Sequence, residues 1–372
     1  MGAKLWCVKG ITIYLIITKT SHNVNEYIKD KVHINIKKEL RNMKKYFQAV
    51  IIFILFMTLI PMIAILSGEK PQKIGSTVLK STLPEIKTVK ILDTQGGNII
   101  ELPIREYLIG AVAAQMPYEY EEEALKCQAV LAHTYIISRR IAEQESPTKE
   151  LLGADISLDK KLYQPYFSDS DIESFYGEKA AEAKKKIAKC VDDVKDIIAV
   201  YNSKPIVSAF HGISSGFTES AENAWGIDIP YLKSVESEFD PSSKDYAKKY
   251  IITDDELKQK LLDAYPELEF KGDPETWLDI SETSRGGTVL SIGLGDKKKN
   301  ISGYDFMAIF DLRSPHFKFT YENGSFIFTV CCCGHLVGLS QYGANELAKN
   351  GKTCEQIMTF YFKGIGFEKI NN

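Results

Sequence analysis

Three stretches of the 372-residue chain carry side chains able to do chemistry. Gln115-Met116-Pro117 runs into carboxylates at Glu119, Glu121, Glu122 and Glu123. His211-Gly212-Ile213-Ser214-Ser215-Gly216-Phe217-Thr218-Glu219 is rich in hydroxyls with one imidazole, and continues to Asn223-Ala224-Trp225-Gly226. Cys331-Cys332-Cys333 adjoins Gly334-His335, and from there to Ala344 the chain is glycine-rich with Ser340 and Gln341. Gly212-Ile213-Ser214-Ser215-Gly216 has the letters of GxSxG, but the stretch reads as a loop and not as a strand-to-helix elbow, which argues against a Ser/His nucleophile. The seven cysteines form no CxxC pair and no His-x₃-His spacing accompanies them. Neither a structural zinc nor a disulfide framework is therefore signalled, and metal binding by Cys331–Cys333 with His335 stays an alternative. The glycines of 334–344 do not follow the GxGxxG pattern, so a phosphate cradle is not indicated, and no cofactor or metal is expected. The polar 211–219 stretch reads as a functional loop, because its His and the nearby Trp225 fit poorly with ordinary surface.

The elements that must position these residues follow from periodicity. Val89 to Leu102 alternates around the turn at 93–98 and predicts a hairpin. A helix is expected over Ile104–Gln115, ending at Met116 because Pro117 disfavours helical dihedrals before it. A second follows, with Glu121, Glu122 and Glu123 at the positive end of its dipole and a stripe of Leu125, Ala129, Ala132 and Ile136. Gln115 thus stands at the corner between two helices. An amphipathic helix is expected over Gly177–Val194, then strands at Ile197–Tyr201 and Ile206–Phe210. Further on, strands are expected at Tyr231–Val235, Thr288–Gly295 and Phe326–Val330, and helices at Asp254–Tyr265, Ala344–Lys349 and Cys354–Phe362.

Hydrophobic residues at 44%, charged at 26% and aromatic at 11% are the profile of a packed protein and exclude disorder as the main theme. A net charge of −3 excludes a nucleic-acid binder relying on a broad basic surface. That average hides a split, since residues 1–45 carry a net +7 and the remainder −10. Between the halves lies Phe47 to Leu66, twenty residues without a charge, against the ~20 that a helix needs to cross a bilayer. Lys37, Lys38, Arg41, Lys44 and Lys45 precede it, so the positive-inside tendency places the N-terminus in the cytoplasm. The expected organisation is a cytoplasmic segment 1–46, a single transmembrane helix 47–66, a linker 67–89, and a mixed α/β (α+β) extracytoplasmic domain over 90–370. The run exceeds a signal-peptide core and lacks a good cleavage site after it. Met43 followed by two lysines reads as a natural start, so residues 1–42 are read as an over-extended start assignment.

Three segments together resemble the stage II sporulation protein D and amidase-enhancer (LytB) family. They are Glu106 through Pro117 with Glu123–Val130, Phe210 through Glu219 with Trp225-Gly226 and Tyr231-Leu232, and Gly334 through Ala344 with Tyr361–Gly364. The resemblance covers about residues 90–370. It implies a cell-wall protein of engulfment that cuts peptidoglycan glycan strands as a lytic transglycosylase. One Glu would protonate the glycosidic oxygen, and its carboxylate would then help the sugar's C6 hydroxyl close a 1,6-anhydro ring, which asks for a carboxyl of raised pKa in a cleft. At that position this chain has Gln115, an amide that cannot exchange a proton at usable pH. Other departures are His133 in place of Arg, the cysteine run where glycines normally alternate, and Leu336 in place of glycine. By the same resemblance His211, Ser214, Ser215, Thr218, Glu219, His335, Ser340 and Gln341 would bind the glycan. The expected partners are glycan strands, other wall hydrolases and membrane proteins of the engulfment machinery, and no nucleic acid. The alternative expectation is a catalytically impaired relative that holds glycan or a partner hydrolase.

Overall fold

A computed structural model describes residues 79–80, 83 and 86–370. The segments 1–46 and 47–66 and most of the linker lie outside the described residues, and among those described no helix is long and apolar enough to cross a membrane. The architecture is mixed α and β, with several small sheets around helices.

The described residues begin with strand β1 (Leu79–Lys80), then β2 (Thr88–Leu92) and β3 (Ile99–Pro103), an antiparallel hairpin that pairs Leu92 with Ile99. Helix α1 (Ile104–Gln115) stops as its Pro117 signal requires, with Met116 extended at φ −136°. Helix α2 (Glu122–Glu145) is the axis of the main core. Its expected stripe of Leu125, Ala129, Ala132 and Ile136 is at most 1% exposed, each Leu or Ile there contributing roughly 1.5–3 kcal/mol on burial. The helix is buried on more than that stripe, because Gln128, His133 and Thr134 are also covered. Each meets a partner: Thr134 Oγ1 accepts from Ala199 N at 2.9 Å and His133 Nδ1 faces Ile197 O at 3.2 Å.

Next come β4 (Ile156–Ser157), α3 (Asp169–Tyr176), α4 (Ala180–Val194), β5 (Ile197–Tyr201), β6 (Lys204–Pro205) and β7 (Phe210–His211). The expected strand over 206–210 is thus replaced by β6, a linker and β7. Helix α3, not expected from periodicity, is set by a capping box between Ser168 and Asp171. A short α5 (Ala221–Trp225) follows the polar loop. The stretch expected as a strand at 231–235 forms none: its carbonyls are taken singly, Leu232 O by Ala221 N at 3.0 Å and Val235 O by Thr218 N at 2.8 Å.

Residues 247–331 then build a second core of their own. It holds β8 (Ala247–Thr253), α6 (Asp254–Ala264), β9 (Leu278–Thr283), β10 (Val289–Leu294), β11 (Lys299–Ile301), α7 (Gly303–Phe310), β12 (Phe317–Glu322) and β13 (Ser325–Cys331). Two antiparallel sheets, ordered β12-β13-β8 and β11-β10-β9, enclose Phe306, Phe317, Phe326 and Phe328. The lobe is closed at its base by Cys332 N donating to Tyr246 O at 2.7 Å. The chain returns through β14 (Leu339–Ser340), α8 (Gln341–Lys349), α9 (Cys354–Tyr361) and β15 (Gly366–Lys369). β15 pairs with β5 and with β1, so the expected linker is tied to this sheet at residues 79–80.

Candidate functional site

Gln115 is the last residue of α1 and half-buried, and its side chain is the end of a row of three amides. Gln115 Nε2 donates to Pro165 O at 3.0 Å, and Gln115 Oε1 accepts from Gln128 Nε2 at 2.6 Å. Gln128 Oε1 in turn accepts from Gln341 Nε2 at 3.1 Å, and the same Nε2 donates to Gln115 O at 2.7 Å. A carbonyl at each end requires N–H from its neighbour, so all three amides must point the same way. Gln128 is 0% exposed and was not singled out in the sequence; its signal was a polar side chain inside the apolar run of α2. The loop bearing Pro165 reaches α1 because residue 110 is glycine: Phe167 N donates to Gly110 O at 3.1 Å, and a Cβ on Gly110 would overlap Phe167 O.

Beside this row is a cleft of 510 Å³ lined by Gln115, Met116, Tyr118, Glu119, Phe175, Tyr176 and Lys179 among others. Of the carboxylates weighed in the sequence as substitutes, Glu119 faces this cleft and is exposed. Glu122 pairs with Lys189, and Glu123 bonds Lys126 while accepting from Cys354 N. Those two carboxylates are held in the surface frame.

The other expected site residues are brought together by β7 and β14, which pair in parallel with Ser340 beside His211. Bridges at Ile213–Cys333 and Glu219–Val337 continue the contact. Their hydroxyls, however, are mostly engaged inside the protein. Ser214 and Ser340 are both 0% exposed and both serve Asp240, whose Oδ2 accepts from Ser214 N and whose Oδ1 accepts from Ser340 Oγ, each at 2.9 Å. Ser340 Oγ also accepts from Gly343 N, capping α8. Thr218 Oγ1 accepts from Val235 N at 3.0 Å, and Ser215 Oγ donates to Phe217 O at 3.1 Å. Asp240 is buried, which raises its carboxyl pKa, while its serine partners Ser214, Ser340 and Ser237 pull it down. Nothing in the sequence SEFDPSS separated it from a surface aspartate.

Adjacent residues therefore do different work: Ser340 bonds Asp240, and Gln341 bonds the amide row. His211 is 3% exposed; its Nδ1 donates to Val337 O at 3.1 Å, leaving Nε2 as a bare lone pair without a hydrogen-bond partner among the described residues. Burial, with His335 acting in the same direction, holds the His211 imidazole down at about 3. His335 has the opposite tautomer, because its Nδ1 accepts from Val337 N at 3.1 Å, and burial pushes it down to about 4. Trp225 sits with its ring 5.5 Å from that of His335 and is 38% exposed. Glu219 is 3% exposed and accepts from Ser220 N and Asn223 Nδ2 at 2.9 and 2.8 Å. Among the cysteines, Cys332 Sγ lies 3.3 Å from His316 Nδ1, and burial raises its thiol pKa.

Chemically the arrangement can hold a polar ligand in a cleft beside a row of neutral amides. Proton transfer from position 115 is not available to it.

The family described as SpoIID, stage II sporulation protein, matches residues 93–201, a span that includes Gln115. Stage II sporulation protein D of Bacillus amyloliquefaciens is 32% identical over 315 residues, 83% of this chain and 88% of that protein. The protein of the same name from Bacillus subtilis (strain 168) is 32% identical over 299 residues, 80% of this chain and 82% of its own. The amidase enhancer of Bacillus subtilis (strain 168) is 23% identical over 306 residues, 69% of this chain and 39% of that protein. The chain belongs to the stage II sporulation protein D family.

Proposed function

We propose that the protein is a membrane-anchored, extracytoplasmic member of its family that acts in endospore formation by binding the glycan strands of peptidoglycan without cutting them at an appreciable rate. It would hold the wall for partner hydrolases during engulfment. The observation that carries this reading is Gln115: its Oε1 and one Nε2–H are both committed, to Gln128 and Pro165, and no proton can leave or arrive there. The second N–H has no protein partner among the described residues and can bond a ligand in the cleft. Its relatives' names support a sporulation role, and the amidase enhancer among them supports a hydrolase partner. The charge-free run Phe47–Leu66 with its preceding lysines supports a single-pass anchor with the N-terminus in the cytoplasm.

A second reading keeps the lytic transglycosylase activity and is favoured by Glu119, a carboxylate in the same cleft. One experiment separates the two. The full-length protein, its Gln115→Glu variant and its Glu119→Gln variant are incubated with purified peptide-free glycan strands, and both strand retention and 1,6-anhydro products are measured. Retention without product by the wild type is the expected result. Product from the wild type that disappears in Glu119→Gln would establish the second reading, and absence of retention would sink both.

A further inference from the structure

The cleft beside Gln115 has a wall that neither the amide row nor the polar loop explains. Helix α3 packs through Ile172, which is 2% exposed, and through Tyr176, whose Oη donates to Ala113 O at 2.9 Å. Phe175 contributes little to that packing and is 67% exposed. It is nevertheless held. The ring lies 4.9 Å from Tyr176 at 87° and 5.2 Å from Phe167 at 50°, and Tyr176 is itself held edge-on by Tyr118 at 5.3 Å. The capping box at Ser168 and Asp171 fixes the start of the same helix. The result is an aromatic ladder with its last ring in the cleft, backed on two sides and open on a third. A single exposed phenylalanine on a surface needs no explanation. This one shares its cleft with the Gln115 N–H that has no partner among the described residues and with the charged ends of Glu119 and Lys179.

That pairing of surfaces fits one chemical class. A pyranose ring presents an apolar C–H face and a rim of hydroxyl, ether and acetamido groups, so it requires a flat apolar platform with hydrogen-bonding groups at its edge. A pre-held aromatic ring meets the first need at low entropic cost. We infer that Phe175 is the stacking platform for a pyranose of the glycan strand next to position 115, a positioning and affinity residue of the site. This inference rests on the glycan-binding reading above.

The test uses the full-length wild type, Phe175→Ala and Phe175→Trp, with purified peptide-free glycan strands as probe. Dissociation constants are measured by strand retention, and tryptophan fluorescence is followed on addition of glycan. Removing the ring is expected to weaken binding about tenfold, with Phe175→Trp retaining affinity. Phe175→Trp should also show a glycan-dependent emission change beyond that of the wild type, which a merely structural side chain would not give. Thermal unfolding within a degree or two of wild type is the check that Phe175→Ala still folds. If the wild type binds and Phe175→Ala binds within twofold of it, the platform is refuted and the glycan-binding reading stands. If the wild type does not bind, that reading fails and takes the platform with it.

Discussion

Replacing Gln115 by Glu exchanges one amino group for one oxygen and leaves the volume unchanged. Gln128 Nε2 still donates to Oε1, but the new oxygen faces Pro165 O across the 3.0 Å now bridged by an N–H. Ionised, two acceptors confront each other; protonated, the new hydroxyl restores the bond. An acceptor left without its donor costs about 1–3 kcal/mol, equivalent to roughly 1–2 pH units. The bond from Gln128 favours the ionised form and keeps the rise toward the lower end of that range. A carboxyl so raised takes up its proton in the folded chain before it does in the unfolded one. The variant's stability deficit relative to wild type is then largest above about pH 6.5 and shrinks by about 1–2 kcal/mol as pH falls to about 4.5. Thermal unfolding of both proteins at pH 7.5 and pH 4.5 reads that difference directly. The same shift makes a general acid, so 1,6-anhydro product from glycan strands should rise by at least about 10²-fold over wild type. A stability gap that does not change with pH would refute the hydrogen-bond argument. A folded, glycan-binding Gln115→Glu protein that makes no more product than wild type would show that the missing acid is not at position 115.

Three further perturbations test the frame around the site. His133 is buried and neutral, held down at about 4 chiefly by burial, so its contribution is complete above the unfolded value of about 6.5 and is lost as pH falls toward 4. His133→Asn should therefore flatten the fall in thermal stability between pH 7 and pH 5 by about 2 kcal/mol, and an unchanged slope would refute the assignment. Gly110→Ala places a Cβ into Phe167 O and should cost about 1–3 kcal/mol in chemical denaturation, with glycan affinity falling as the loop bearing Pro165 shifts. Asp240→Asn leaves one acceptor where Ser214 N and Ser340 Oγ need two, and should cost about 1–3 kcal/mol in the same assay; no loss would mean that water replaces the bond.

How much of this was legible in the sequence follows from the range of the interactions. Proline at 117 and the stripe from Leu125 to Ile136 act over a few residues, and the ends of α1, the course of α2 and the hairpin came out as expected. The alternation Phe317, Phe319, Tyr321 was an equally local signal for β12 and went unused, so the second core was only half anticipated. The amide row and Asp240 could not be read, because Gln128 and Gln341 are 213 residues apart and Ser340 is 100 from Asp240. In sequence a polar residue bound at such distance looks the same as a solvated one. For the same reason Ser214 and Ser340, both buried against Asp240, look in sequence like serines that face solvent.

Two non-glycine residues beside His335 bear on the site through backbone geometry. Cys332 and Leu336 both hold positive φ, 71° and 68°, and both side chains are 0% exposed. For residues with a Cβ that region costs roughly 1–2 kcal/mol each. The loop keeps its path despite the cost because the backbone is tied on both flanks: Cys333 N donates to Ile213 O at 2.9 Å and Glu219 N to Leu336 O at 2.6 Å. These ties seat His335 against Trp225 and place Gln341 on the amide row. Substituting glycine at 336 would remove that strain together with a fully buried Leu side chain whose truncation costs about 2–5 kcal/mol, so the loss exceeds the relief. The proposed glycan-holding role needs His335 and Gln341 kept in place in this way and needs no acid at position 115.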